Sequence, residues 1–278
     1  MNTSPTRPYR IWRRDCGRAP AATTDLLAVE EPLEIRVNTR PVVVTMRTPG
    51  HDEELATGFL ATEGLLHRRE DVQRFAPSPR NTTGNVLEVF LAPDVRLDYA
   101  QLTRHVYASS SCGLCGRATI EAVQRRFPRL RPGFRLRPAV LRQLPERLRQ
   151  AQAAFALTGG LHAAGLFDAR GRLLVLREDV GRHNAVDKVL GHALLAGLWP
   201  LSRHVLLVSG RASFEILQKS LAARIPIVAA VSAPSSLAVD FARRSGQCLV
   251  GFLRDQRMNI YAHPRRLQAD QPTTRQPH

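Results

Sequence analysis

The sequence predicts an α/β protein, with a mainly parallel sheet over residues 130–267 and a smaller α+β region over residues 29–129. Three observations carry this reading. From Leu161 onward, short apolar runs alternate with amphipathic segments, the pattern of strands covered by helices on both faces. Before Leu91, strand-like alternation is interrupted by one helical stretch. Finally, a chain of 278 residues with 44% hydrophobic content can bury a large core, as one large domain or a large one plus a small one.

Residues 1–28, rich in Pro, Thr and Arg, read as an irregular segment. Structure is expected to begin with the alternating strand Leu33–Val37, a turn at Asn38–Arg40 and a returning strand Pro41–Met46, which together make a hairpin. Thr48-Pro49 punctuates the chain. His51–Leu66 then carries Leu55, Phe59, Leu60 and Leu66 at helical spacing behind the acidic first turn Asp52, Glu53 and Glu54. Val86–Leu91 alternates again, and Leu97–Val106 leads into a loop with two cysteines, which is followed by an amphipathic stretch, Arg117–Arg126. Leu130–Gln150 is a Pro- and Arg-punctuated connector with a short helix around Leu141–Ala154.

Beyond the connector, Leu161–Phe167 and Leu173–Leu176 flank the turn Asp168–Gly171 as an antiparallel pair. Helices are expected over Asn184–Leu195, Phe214–Ala223 and Ser236–Arg243, and strands over His204–Val208, Ile227–Val231, Cys248–Leu253 and Asn259–Ala262. Residues 268–278 read as a disordered polar tail. No internal repeat is present.

The chain opens without a charged-then-apolar signal segment, and no apolar run is long enough to cross a bilayer, so no membrane association is expected. Four cysteines without a disulfide framework point to a reducing cytoplasm. The formal net charge is +16, and apart from Lys188 and Lys219 every Lys or Arg is arginine. Such an excess invites a nucleic-acid reading. The arginines are spread along the chain, however, densest over 125–149, and accompany no zinc-finger, RNP or basic-zipper pattern. Solvated arginine-rich faces come first, phosphate-bearing ligands or acidic partners next, and duplex DNA last.

The most informative local feature is Ser109-Ser110-Ser111-Cys112-Gly113-Leu114-Cys115-Gly116. Two thiols sit on a small, glycine-jointed loop ahead of a predicted helix and beside an arginine. Both neighbours favour thiolate and hence nucleophilicity. Half of a structural zinc site is the competing reading, but zinc needs four ligands, and the remaining Cys16 and Cys248 stand far apart in sequence. A thioredoxin-like motif would follow a strand directly, whereas here a serine run precedes it.

In an open α/β sheet, ligands gather beyond the carboxyl ends of the strands. The predicted loops there are unusual: Arg177-Glu178-Asp179-Val180-Gly181-Arg182-His183-Asn184, Ser209-Gly210-Arg211-Ala212-Ser213, Ser232-Ala233-Pro234-Ser235-Ser236 and Arg254-Asp255-Gln256-Arg257. Small residues at helix starts expose backbone N–H groups to anions, and paired arginines suit bidentate phosphate contacts. Ordinary capping explains either serine loop taken alone. The stretch Asp179–Arg182 equally fits a structural salt bridge, and His162 by default is a core histidine.

Several of these strings resemble the formate dehydrogenase accessory sulfurtransferase family (FdhD): Ser111–Gly116, Thr158–Ala164, Glu178–Lys188 (EDVGRHNAVDK), Ser209-Gly210-Arg211, Tyr261–Pro264 and the helix Glu54–Leu66. The resemblance runs in order from Glu30 to Leu267. It implies a cytidine-deaminase-like three-layer α/β/α domain, and a protein that accepts persulfide sulfur from a cysteine desulfurase. The sulfur then passes to the bis-molybdopterin guanine dinucleotide form of the molybdenum cofactor, which formate dehydrogenase requires. Cys112 corresponds to the family's persulfide cysteine and Cys115 to its second loop cysteine. Phe252, Leu253, Arg254, Asp255, Gln256 and Arg257 correspond to its cofactor-binding stretch, joined by Ser209, Gly210, Arg211 and His183 from the neighbouring loops. Guanine nucleotides would then mimic part of the ligand, and no resident metal is expected. The expected partners are the desulfurase and formate dehydrogenase, with a homodimer possible and nucleic acid excluded. A non-catalytic cofactor chaperone is the alternative. A zinc deaminase does not fit, because it needs His-x-Glu followed by Pro-Cys-x-x-Cys, whereas here the cysteine pair comes first and His162 precedes two alanines.

Overall fold

The computed structural model describes residues 4–77, 84–95 and 126–268. Three sheets are present among them. The first is a two-stranded antiparallel ribbon of β1 (Thr6–Arg13) and β2 (Ala21–Ala28), in register from Thr6↔Ala28 to Arg13↔Ala21. This corrects the expectation of an irregular 1–28. Both strands are largely exposed on both sides, with Trp12 at 71%. No apolar alternation therefore marked them in the sequence.

β3 (Glu31–Val37), β4 (Arg40–Arg47), β5 (Val72–Pro77) and β6 (Val86–Leu91) form a four-stranded sheet in the order β4-β3-β6-β5. The predicted hairpin is β3–β4, whereas β5, an edge strand ending in proline whose apolar and polar residues do not alternate, left no sequence signal. Leu33, Ile35, Val37, Val89 and Leu91 point from this sheet onto Leu55 and Leu60 of α1 (Asp52–Thr62).

The six-stranded sheet has the order β12-β11-β10-β9-β7-β8, built from β7 (His162–Phe167), β8 (Leu173–Asp179), β9 (Val205–Val208), β10 (Ile227–Ala230), β11 (Cys248–Arg254) and β12 (Arg257–Ala262). On the central strand β9 the side chains alternate. Val205 and Leu207 join Leu141, Leu144 and Leu148 of α2 (Pro138–Ala151) on one face. Leu206 and Val208 join the other face, packed on α4 (Arg182–Leu195), α5 (Phe214–Ala222) and α6 (Ser236–Ser245). Helices thus cover both faces. A short helix, α3 (Ala153–Thr158), links α2 to β7 and packs against β2.

The sheet is mixed rather than mainly parallel. Only β9/β10 and β10/β11 pair in parallel, while β7/β8, β7/β9 and β11/β12 are antiparallel. A hairpin at each edge flanks a three-stranded parallel centre. The second hairpin turns on Asp255 and Gln256, both with φ near the left-handed region (50° and 61°), as in a two-residue type I′ turn. Asp-Gln is not the Asn-Gly or Asp-Gly that announces such a turn, which is why the sequence read as strand, loop, strand.

The two halves meet where α1 crosses α4 with backbones in contact. A Cβ on Gly191 would lie 1.8 Å from the Glu54 carbonyl oxygen, and one on Gly58 would lie 1.8 Å from that of Asp187. Beside the crossing, the Glu54 carboxylate accepts from Arg177 at 2.5 and 2.7 Å and pairs with His192 Nδ1 at 2.9 Å. Burial alone would raise the Glu54 pKa, but these bonds hold it below the ordinary value. Because no side chain can yield at a backbone–backbone contact, Gly191→Ala is expected to cost about 3 kcal/mol or more. Gly133→Ala, with nothing within 4 Å of the added carbon, should cost less than about 0.5 kcal/mol. Urea unfolding of both variants checks this, and equal midpoints would contradict the close crossing.

Candidate functional site

The carboxyl ends of β8, β9, β10 and β11 and the start of β7 lie along one edge of the six-stranded sheet, because His162 pairs with Asp179 and Ala164 with Val208. The loops singled out in the sequence therefore do converge. Three helix N-termini open there, with Gly181, Ser213 and Ser235 as the N-caps of α4, α5 and α6. Their dipoles and first-turn N–H groups, of which only that of Ala238 is capped by a side chain among the described residues, the Ser235 hydroxyl, make the edge favourable to anions.

The β8–α4 loop is held from inside. Asp179 is completely buried, and its carboxylate meets Lys188 Nζ at 2.7 Å. It also accepts from the backbone N–H groups of Gly181 (2.8 Å) and Thr48 (3.1 Å) and from Asn184 Nδ2 (3.1 Å). The salt bridge expected within Asp179–Arg182 is thus made to Lys188 instead, which leaves Arg182 available. Arg182 Nε is buried and has no hydrogen-bond partner among the described residues. An orphaned guanidinium donor at this edge is what an incoming anion would satisfy.

His183 Nε2 lies 2.8 Å from Glu215 Oε2 and 3.1 Å from Ser213 Oγ, tying the starts of α4 and α5 together. The bond to His183 is the main reason that the Glu215 carboxyl sits below its ordinary pKa. With Nε2 occupied, only Nδ1 of His183 remains to reach a ligand. In the β9–α5 loop, Ser209 is used structurally, its hydroxyl oxygen accepting from Ala163 N at 2.9 Å. Gly210 leaves room for an imidazole, since a Cβ there would lie 3.2 Å from His162 Nδ1. Arg211 is exposed.

His162 lies at this edge rather than in the core. Its pKa is lowered by burial first, then by Arg182, His183 and Arg211 around it. The signal for it, an imidazole at the first position of a strand that begins at the sheet edge, is visible only once the strand order is known. The sequence places Arg182 in its loop, but the unpaired state of its Nε is visible only in the folded chain.

The stretch 252–257 is the β11–β12 turn. Leu253 is 1% exposed and packs in the core beneath the sheet, so its side chain is not presented to a ligand. Asp255 and Gln256 form the turn itself. Arg254 and Arg257 face each other across its base, both exposed and without a carboxylate partner among the described residues. Arg254 lies 5.9 Å from the Phe252 ring centroid. Phe252 has φ 51° beside a bulge, a conformation rarely adopted by a bulky side chain and concentrated at functional sites.

Cys112 and Cys115, the candidate catalytic residues, lie outside the described residues, as do the predicted tail beyond Gln268 and most of the predicted helix 117–126. Of the other two cysteines, Cys16 is exposed, and Cys248 is fully buried with its thiol pushed up to about 12 by desolvation. Cys248 is therefore a core side chain, not a thiolate ligand. No group of metal ligands assembles among the described residues. No helix among them is long and apolar enough to cross a membrane.

A family model described as the FdhD/NarQ family matches residues 28–268. The chain is 54% identical over 257 residues to a protein of Streptomyces avermitilis named sulfur carrier protein FdhD, covering 90% of this chain and 91% of that one. It is 53% identical to the protein of that name from Mycobacterium tuberculosis, over 87% of this chain and 92% of the other. A crystal structure from Desulfotalea psychrophila, assigned as a formate dehydrogenase accessory protein, superposes with a TM-score of 0.74 at 25% identity, covering 95% of this chain and all of that one.

The lowered His162 pKa has a sign that can be checked. Without ligand, the imidazole should titrate below 6.5, the ordinary histidine value. A phosphate group bound at the loop edge favours the imidazolium and should raise the midpoint, so phosphate ligands should bind more tightly at pH 6 than at pH 8. Titration of the His162 ring resonances by NMR reads both, and a ligand-free midpoint at or above 6.5 would contradict the arrangement.

Proposed function

We propose, for a chain that belongs to the FdhD/NarQ family, that it is a sulfurtransferase that carries persulfide sulfur to a molybdenum cofactor on behalf of formate dehydrogenase. The observation that carries this reading is the anion edge. Three helix N-termini, the unpaired Nε of Arg182 and the paired Arg254 and Arg257 line one side of a sheet with helices on both faces. An extended ligand with two nucleotide arms, bis-molybdopterin guanine dinucleotide, fits such a row of phosphate sites. The names borne by relatives, sulfur carrier protein FdhD, support the sulfur half of the proposal. We also assign the six-stranded sheet and its two helical layers to the cytidine-deaminase-like architecture.

In this reading the Cys112 thiolate attacks the terminal sulfur of a cysteine desulfurase persulfide. The donor S–S bond breaks, the donor leaves as thiolate, and Cys112 carries the persulfide. The Cys115 thiolate can then attack the inner sulfur, which releases hydrosulfide to the bound cofactor and leaves a Cys112–Cys115 disulfide for a thiol reductant. The edge residues have a different task. Arg182, Arg211, Arg254 and Arg257 bind and orient phosphates, and half-buried His162 supplies a proton-responsive contact.

Incubation with a desulfurase and cysteine should add one sulfur atom to the protein and none to Cys112→Ala, with the fold intact because a single loop side chain contributes little packing. Separately, Arg254→Gln combined with Arg257→Gln should weaken guanine nucleotide binding roughly tenfold or more, about 1.4 kcal/mol. Mass spectrometry and calorimetry at low salt read the two arms. Equal sulfur loading of Cys112→Ala would overturn the carrier assignment, and unchanged nucleotide affinity would overturn the groove.

A further inference from the structure

The opposite edge of the six-stranded sheet holds a second basic feature. A cavity of about 700 Å³ is lined by Arg131, Arg135, Arg203, Arg224 and Arg266, with Phe134 among the apolar groups and no carboxylate among the described residues of its wall. Arg203 and Arg224 lie just before the first residues of β9 and β10, and the wall also takes in the β7–β8 turn. The strands therefore run from this cavity toward the loops described above, and the two features are separated by the length of the sheet.

Two of the arginines are built into the wall. Arg266 is 7% exposed. Its Nε donates to the Gly246 carbonyl at 2.8 Å and its Nη2 to that of Arg131 at 2.9 Å. Backbone carbonyls thus fix the plane of the guanidinium, but no carboxylate among the described residues neutralises it. Arg224 follows Ala223, the C-cap of α5, with φ 63°, and its N–H bonds Leu221 O while the next N–H bonds Ser220 O. This is a Schellman ending, a position that favours glycine. An arginine stands there despite the strain, and its side chain is anchored by the Pro128 carbonyl. Complementing the α5 dipole would explain Arg224 alone, not four further arginines brought from three other segments. Asp168, the acid nearest in sequence to the wall, is already engaged by the N–H of Arg170 and the guanidinium of Arg172.

We propose that this cavity is a binding site for a small soluble polyanion carrying a di- or triphosphate. Its volume falls within the range of small-molecule sites, and its concavity distinguishes it from a surface that docks a folded partner. Arginine forks match phosphate oxygens in pairs, and guanidinium is the less strongly hydrated cation, suited to partly buried sites. Burial lowers the pKa of both Arg224 and Arg266, so each gains from an anionic neighbour. The inference does not rest on the sulfur-transfer reading.

The test uses the full-length protein and inorganic triphosphate in calorimetry at low and at moderate salt. Wild type should show saturable binding that weakens with salt. Arg203→Gln combined with Arg224→Gly should raise Kd at least tenfold. Glycine suits the backbone at 224, and Arg203 is exposed, so the thermal midpoint without ligand should not fall. Arg254→Gln with Arg257→Gln should retain this binding, which separates it from the loop edge. Unchanged affinity in the Arg203/Arg224 variant, or no saturable binding by wild type, would overturn the proposal. So would a poly-glutamate peptide that competes more strongly than triphosphate, since that would assign the cavity to an acidic protein segment.

Discussion

The buried ion pair of Asp179 and Lys188 is the constraint on which the rest of the arrangement depends. Asp179 ends β8 at the anion edge, Lys188 lies in the second turn of α4, and Thr48 of the N-terminal half bonds to both. A second buried pair, Asp187 with Lys219 at 2.8 Å, draws in Thr62 from α1. Burial disfavours the Lys219 charge, yet the bond to Asp187 together with the nearby Glu63 and Glu215 carboxylates outweighs it and leaves the Lys219 pKa raised. The only two lysines of the chain are thus compact interior charges, whereas its other cationic side chains, apart from histidine, are arginines. Replacing one partner of such a pair strands the other, at a typical cost of about 3–5 kcal/mol. Because the Asp179 carboxylate also fixes the Gly181 N–H, the pair orients the loop that presents Arg182 and His183. Halves of the molecule and shape of the site are therefore set by the same atoms.

This accounts for the long string EDVGRHNAVDK. Asp179, Asn184, Asp187 and Lys188 face inward and hold the crossing of α1 and α4, while Arg182 and His183 lie at the edge. Helical spacing separates the two roles. The string's chemistry is mostly that of a polar interior seam, and only Arg182 and His183, at the start of α4, are available to a ligand.

Much of the fold was legible from periodicity: β3, β4, β6 and the strands from β7 to β11 carry apolar alternation or apolar runs, and the helices between them are amphipathic. What was not legible lacked such a signal. The ribbon β1–β2 is exposed on both faces, β5 is an edge strand without alternation, and the Asp255-Gln256 turn uses residues that seldom mark a reversal. That turn, with the β7–β8 hairpin, makes the sheet mixed. At the site, the loops were found because small residues and charges cluster locally in them. The roles of His162 and Arg182 depended on strand order and on which carboxylate Lys188 captures. The basic cavity was out of reach of a sequence reading, since Arg131, Arg203, Arg224 and Arg266 come from four separate segments.

The central claim is a division of labour, in which the sheet edge binds the cofactor and the Cys112–Cys115 loop supplies sulfur. The most direct measurement is made in cells whose only copy of this protein is Cys112→Ala, Cys115→Ala, by assaying molybdenum cofactor on the purified variant together with formate dehydrogenase activity. The account predicts that the variant still carries cofactor while the dehydrogenase lacks its sulfido ligand and is inactive. An active dehydrogenase in those cells would contradict the account and leave a cofactor chaperone in its place, and a variant that is folded but empty of cofactor would show that binding and thiols are not separable.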